Sequence, residues 1–359
     1  MKIFLILCIL IIIPYIWLQV CKRLNILEHK KRADYYHRLP VPNIQWIPLW
    51  ITLLCCIITL GYEYIHNTYM IIYIGATFLL GLLATIDLYK PISALIRLLF
   101  QITLFGWIVI IWGVDIDTIR FGTGNIEMGN VISIIFSIIR FIVCTNAVNW
   151  FDWIQWQSSW VTSIGAFSLF SIITLIVLPS YEHLTFDVLQ QLEITKIISL
   201  SLGLVALLYT IIEYKPRGLV RDIGTSIYWF SLAYLALLWG GKMWTLIVTL
   251  SLVLFDRVRV ILNRILVMKK SPLQWDYTHL HHRLLANWWT RSEVRWFVWI
   301  RSLVMTVLMI LQWTNSFHKR IIMCMMAMLF FGVNVYLFWI KKLPYEMKID
   351  FQPQDVEQL

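Results

Sequence analysis

Hydrophobic positions in this 359-residue chain do not alternate with polar ones; they gather into long apolar blocks separated by short polar stretches. The blocks lie near Ile3 to Val20, Trp46 to Gly61, Tyr69 to Ile86, Ile92 to Gly113, Val131 to Val148 and Val161 to Leu178, and then near Ile197 to Ile212, Ile227 to Leu238, Met243 to Phe255, Trp296 to Trp313 and Ile321 to Ile340. About 20 helical residues cross a hydrocarbon core of about 30 Å, and most blocks approach that length. The expected fold class is therefore all-α, a polytopic transmembrane helix bundle of about eleven spans in a single domain over 1–359. The first block follows Lys2, lacks a small-residue cleavage site and precedes a strongly basic loop, so it reads as a retained anchor.

Composition agrees, with 60% hydrophobic residues, 14% charged and a mean hydropathy of +0.74. Soluble domains have about 45–50% apolar residues. A formal charge of +10 suggests nucleic acid at first, but the distribution of the basic residues points to a bilayer instead. Lys22, Arg23, Lys30, Lys31, Arg32 and Arg38 follow the first block, Lys90 the third, Lys215, Arg217 and Arg221 the seventh, and Arg257 through Arg295 the ninth. Intervening loops carry acids: Glu63, then Asp115, Asp117 and Glu127, then Glu182, Asp187 and Glu193. Basic residues favour the cytoplasmic side, which puts the N-terminus outside and the tail with Lys341 and Lys342 inside; Lys242 and the pair Lys319 and Arg320 run against the pattern. The six cysteines lie in or beside apolar blocks without metal-ligand spacing.

Polar side chains at block ends cost free energy unless they meet water, a partner or a substrate. Four groups of them fall on the side assigned to the cytoplasm. In "GLLATIDLYKPISALIRLLFQ", Asp87 closes the third block, and Lys90, Arg97 and Gln101 follow. An interfacial acid and a snorkelling arginine are the plain alternative there. In "CTNAVNWFDW", Asn146, Asn149 and Asp152 recur every three residues and share a helical face. Asp222 in "VRDIGTS" precedes Gly224, Thr225 and Ser226, a pattern that also suits a helix N-terminus. Asp276, His279, His281, His282 and Arg283 stand in "WDYTHLHHRLL", where the histidine spacing does not suit zinc and a hydrogen-bonding grip on phosphate suits it better. Three carboxylates, a histidine cluster and several cations on one surface match a divalent cation and a diphosphate.

In this order the motifs resemble those of the polyprenyl-phosphate N-acetylhexosamine-1-phosphate transferases, over about Asn25 to Glu293. "HRLPVP", with His37, Pro40 and Pro42, is similar to the family's first cytoplasmic loop, RKxHxxPxPR. "GLLATID" with Arg97 and Gln101 resembles GxxDD and its downstream partners, and "NAVNWFDWIQW" resembles NxxNxxDGxDG. "VRDIGTS" resembles MGDTGS, and "KKSPLQWDYTHLHHRLL" resembles GKSPFxxDxxHLHHRL, in the form of the N-acetylhexosamine branch. The resemblance implies a multi-pass enzyme of the bacterial inner membrane. It would transfer an N-acetylhexosamine-1-phosphate, GlcNAc-1-phosphate by default, from a UDP-sugar to undecaprenyl phosphate at the cytoplasmic face and release UMP. It implies Mg²⁺, with Mn²⁺ as a substitute, for cell-wall, lipopolysaccharide or teichoic acid synthesis, and it leaves a homodimer open. By position Asp222 is the metal-ligating acid, Asp87 the acid that deprotonates the lipid phosphate or assists the metal, and Asp152 with Asn149 the nucleotide-side pair. Asn146, Lys90, Arg97, His279, His281, His282 and Arg283 are then substrate-binding residues.

The departures from the family matter as much. Leu88 replaces the second acid of the DD pair and Gln155 the second acid of DGxDG, which favours an impaired relative acting as a lipid-binding scaffold as the alternative. A transporter would place charge near the bilayer midplane, where Arg140 is the main candidate. There are 19 tryptophans, and Trp46, Trp153, Trp156, Trp160 and Trp288 or Trp289 stand where the family has glycine. Glycine serves close backbone approach and an indole is the bulkiest replacement. Two readings stay open: UGA codons that specify glycine rendered as tryptophan, or a decayed cavity filled by indoles.

Overall fold

The computed structural model describes residues 2–24, 45–90, 92–113, 118–121, 124–127, 129–147, 157–180, 185–214, 220–238, 251–269, 271, 279–285 and 289–314, and scattered positions in 321–336. Helices α1 (Lys2–Arg23), α2 (Trp46–Gly61), α3 (Thr68–Tyr89), α4 (Ala94–Trp112) and α5 (Asn130–Ala147) correspond to the first five apolar blocks. They are followed by α6 (Gln157–Ile172), α7 (Phe186–Tyr214), α8 (Arg221–Leu238), α9 (Ser251–Leu266), the short α10 (Leu280–Leu285) and α11 (Arg291–Thr314). Six helical stretches are long and apolar enough to cross a membrane: Lys2–Arg23, Trp46–Tyr64, Thr68–Asp87, Gln157–Val177, Phe186–Glu213 and Ser292–Leu311. Leu95–Ile111, Asn130–Asn146 and Gly224–Leu238 are shorter apolar helices. The expected ninth block overlaps residues outside the described set, and the eleventh is described only at isolated positions.

Local chemistry sets several helix ends. Asn67 and Ser93 cap α3 and α4 by accepting from Tyr69 N–H at 2.9 Å and Ile96 N–H at 3.3 Å. Gly113, at φ 62°, closes α4 in the left-handed conformation that glycine adopts without strain. Thr290 and Glu293 form a reciprocal capping box at α11: Glu293 N–H donates to the Thr290 hydroxyl at 3.2 Å and Thr290 N–H to the Glu293 carboxylate at 2.7 Å. Between α4 and α5 the described chain departs from helix in a two-stranded antiparallel hairpin, β1 (Thr118–Phe121) and β2 (Gly124–Glu127), with Thr118 opposite Glu127 and Phe121 opposite Gly124. Thr118, Ile119 and Ile126, β-branched residues on the strands, favour it. The all-α expectation omitted it.

Helix α8 is the hub. It packs on α2, α3, α5, α6 and α7, and its residues from Ile227 to Leu238 are all buried. Phe230 stacks with Phe105 of α4 and Phe141 of α5 at centroid distances of 5.7 and 5.4 Å. Helix α6 lies between α7 and α11. It begins at Gln157, four positions before the apolar block at Val161, so Trp160 is in its first turn and stacks on Trp299 of α11 at 4.3 Å.

The tryptophans singled out in the sequence fall into two kinds. Trp46 is well housed: its indole N–H donates to Thr85 Oγ1 at 2.6 Å and its six-membered ring covers Gly81, where a Cβ would come within 2.3 Å. Trp160, by contrast, has a buried indole N–H with no hydrogen-bond partner among the described residues. Trp153, Trp156 and Trp288 lie outside the described residues, and Trp289 packs edge-on against Phe297 at 5.6 Å. With tryptophan at 46, Gly81→Ala is expected to destabilise the protein by about 1–3 kcal/mol through overpacking. Thermal unfolding in detergent checks this, and a tolerated alanine contradicts the packing of the Trp46 ring over Gly81.

Candidate active site at one end of the bundle

Two hydrogen bonds fix the direction of α3 against α8. Tyr73 and Ser231 pair their hydroxyls at 2.8 Å, and the Tyr234 hydroxyl donates to the Tyr69 carbonyl at 2.7 Å. Lower numbers on α3 thus meet higher numbers on α8, the helices run antiparallel, and Asp87 near the end of α3 lies toward the start of α8, where Asp222 is the second residue. The Asp222 side chain is outside the described set, and so is the whole segment 148–156 with Asn149 and Asp152.

Asp87 is held by its own connection. Its Oδ1 accepts from Ile92 N–H at 2.7 Å and its Oδ2 pairs with Arg97 Nη1 at 2.8 Å, so the acid folds the turn between α3 and α4 back on itself. One turn along α4, Gln101 Oε1 accepts from Asn146 Nδ2 at 2.7 Å, which ties the polar end of α5 to the Asp87 turn. Arg257 of α9 donates to the Asn146 carbonyl. Lys90 is exposed beside this turn.

Next to Arg257 stands Asp256, an acid the sequence reading passed over. Its carboxylate is buried at 4% exposure and has three donors: Arg259 Nη2 at 3.0 Å and Leu280 N–H at 3.0 Å on Oδ1, and His279 Nδ1 at 2.9 Å on Oδ2. The ring of His281 lies parallel to that of His279, 5.9 Å away and tilted by 6°. Helix α9 carries Asp256, Arg257, Arg259 and Arg264 and, among the described residues, is not one of the stretches long and apolar enough to cross a membrane. Burial on its own would raise the Asp256 pKa, but the hydrogen bond from His279, the charges of Arg259 and His279 and the Leu280 N–H outweigh it and hold the carboxyl well below the usual range. Burial, and then neighbouring Arg264, push Arg257 down to about 10, which leaves it protonated at neutral pH. Arg283 is buried on α10, and the His282 side chain is not described.

Glu213 is a second acid that the sequence reading missed. It ends α7 at 1% exposure, its Oε2 accepting from the Ser159 hydroxyl at 2.8 Å and its Oε1 from Val220 N–H at 2.7 Å. One carboxylate thereby ties the first turn of α6, which follows the Asp152 segment, to the residue before α8, which carries Asp222. Gly224 belongs to the same fit, since a Cβ there would meet Val220 Cγ1 at 2.1 Å. The signal for both missed acids was present: each stands where an apolar run gives way to a basic stretch, in "IIEYKPR" and "LVLFDRVR".

No family model matches the sequence, and no curated protein is significantly similar to it. The geometry therefore stands by itself. It brings Asp87, Lys90, Arg97, Asn146, His279, His281 and Arg283 into segments linked at one end of the bundle, with the Asp222 backbone at that end too. His37 and the rest of the first loop, Asp152, Asn149 and Asp276 lie outside the described residues. Among the described residues no three His, Cys, Asp or Glu side chains form a metal-binding group. Asp87, expected to assist a metal, has both oxygens occupied by Ile92 N–H and Arg97. The described side chains therefore do not make a Mg²⁺ site by themselves. Arg140 is buried within α5, with Nε and Nη1 lacking partners among the described residues, and it adjoins Phe141 of the aromatic stack.

Proposed function

We propose that this protein is a phosphotransferase of the inner bacterial membrane that moves N-acetylhexosamine-1-phosphate from a UDP-sugar, GlcNAc by default, to undecaprenyl phosphate. A lipid phosphate oxygen attacks the sugar-side phosphorus, the bond to the UMP oxygen breaks, and UMP leaves as the lipid diphosphate sugar forms. The eleven-span topology, with the N-terminus outside and the motif loops in the cytoplasm, belongs to this reading and follows from the basic loops. Asp222 is the acid assigned to Mg²⁺, which would neutralise charge on the diphosphate. His279, His281, His282 and Arg283 face the diphosphate in this assignment, Asp152 and Asn149 serve the nucleotide, and Asp87 stands at the lipid phosphate.

One observation supports the reading best. Three of the five motifs are joined by adjacent contacts, from Asp87 and Arg97 through Gln101 and Asn146 to Arg257, Asp256 and His279. Residues separated by nearly 200 positions meet in a polar assembly at the end of an apolar bundle, where polar groups persist only with partners, water or a substrate. Purified protein is expected to release UMP from UDP-GlcNAc only when undecaprenyl phosphate and Mg²⁺ are both supplied. No release above the lipid-free control rejects the reading.

A second reading, a lipid-binding relative without turnover, is favoured by Leu88 and Gln155 at two acid positions and by the engagement of both Asp87 oxygens. It predicts saturable undecaprenyl phosphate binding without UMP.

A further inference from the structure

We propose that Asp256 is a positioning residue of the transfer site, fixing the orientation of the buried His279 ring and its tautomer, with the proton held on Nδ1. The inference rests on the transferase reading and adds to it a residue outside the motifs that carry the resemblance.

An ionised carboxylate has no proton to give, so the 2.9 Å contact between Asp256 Oδ2 and His279 Nδ1 requires the proton on Nδ1. The neutral ring then offers a lone pair at Nε2, and the protonated ring offers a second N–H there. The other carboxylate oxygen accepts from Leu280 N–H at 3.0 Å, so the same group anchors the backbone at the residue after His279. Ring and main chain are thus referred to one acid on a different helix, 23 positions away. His281 gains indirectly, because its ring lies parallel to that of His279 at 5.9 Å and its backbone follows Leu280. Arg259, three residues along α9, pairs with Oδ1 at 3.0 Å and keeps the carboxylate charged. A purely structural buried acid needs only saturated oxygens; this one also selects which nitrogen of a histidine carries the proton, a device that elsewhere aligns histidines in catalytic and metal sites.

Asp256→Asn separates the two roles. Its amide oxygen is required by Leu280 N–H and Arg259, so its NH₂ turns toward His279 and donates to Nδ1. Packing is kept and the tautomer is inverted, with the proton on Nε2. The test combines ¹⁵N-histidine NMR of the full-length protein in detergent, assigned with His279→Gln, with UMP-release kinetics. The expected result is Nδ1–H at His279 in the wild type, its loss in Asp256→Asn, a fall in kcat of at least about tenfold, and a KM for UDP-GlcNAc within about threefold of wild type. An unprotonated Nδ1 in the wild type overturns the inference whatever the kinetics. Unchanged kcat in Asp256→Asn, with the wild type active, overturns the positioning role and leaves the transferase reading in place. A wild type that releases no UMP removes the reaction and the role together.

Discussion

Asp222→Asn is expected to lower UMP release by at least about 100-fold while leaving the protein folded. The acid is the second residue of α8, the helix around which the bundle packs, and it sits where the helix dipole already favours negative charge. An asparagine there keeps the size of the side chain and gives up only the charge that complements the helix dipole, so the stability change is expected to stay under about 1 kcal/mol. Loss of a charge that holds the cation on a transferring phosphoryl group is far more costly, in the range of about 100- to 1000-fold in rate. If Asp222 only caps its helix, the pattern reverses: turnover is kept and the unfolding temperature drops slightly. Parallel UMP-release and thermal-unfolding measurements on one preparation distinguish the two.

Glu213→Ala is expected to destabilise the protein by about 3 kcal/mol. The side chain is buried and holds the Ser159 hydroxyl and Val220 N–H together. Removing it leaves two buried donors without that acceptor, at about 1–3 kcal/mol each, with partial relief from water. Glu213→Gln keeps an amide oxygen for Val220 N–H and an NH₂ for the Ser159 oxygen, so it is expected to cost less than about 1.5 kcal/mol. Thermal or denaturant unfolding in detergent reads both variants. An alanine variant within about 0.5 kcal/mol of wild type contradicts the structural role given to this acid. Because Glu213 joins the segments that carry Asp152 and Asp222, its loss is also expected to reduce turnover at temperatures where the protein is still folded.

Much of the bundle was legible in the sequence because burial in lipid and burial in protein demand the same apolar side chains. The block Trp46 to Gly61 coincides with α2, and the blocks starting at Tyr69 and Val131 begin within a residue of α3 and α5. Hydropathy fails where polar residues are satisfied by tertiary partners. The described part of helix α6 includes Ser159, whose hydroxyl finds Glu213, 54 positions away, which no local window reveals. Helix α7 starts at Phe186, 11 residues before the apolar block at Ile197, and in that added stretch Gln191 Nε2 donates to the Tyr69 hydroxyl at 2.8 Å, another tertiary partner that hydropathy does not see.

The site was legible to the extent that it is written in short motifs. Asp87, Asn146 and His279 stand out in the sequence by their polar surroundings, and hydrogen bonds link their segments in the structure. Asp256 and Glu213 do not stand out in the sequence because each lies alone between an apolar run and a basic stretch, whereas a buried carboxylate is defined by its donors and not by its neighbours in sequence. Trp46 shows the converse. Judged from family glycines it looks misplaced, yet Gly81 provides the space that its ring fills.

The most direct measurement of the central claim follows the sugar. With UDP-[¹⁴C]GlcNAc, undecaprenyl phosphate, Mg²⁺ and the purified protein, the label is expected to enter the organic phase as a lipid diphosphate sugar, in step with UMP release and only when the lipid phosphate is present. Label that remains in the aqueous phase, with the lipid phosphate bound and the protein folded, would contradict the account.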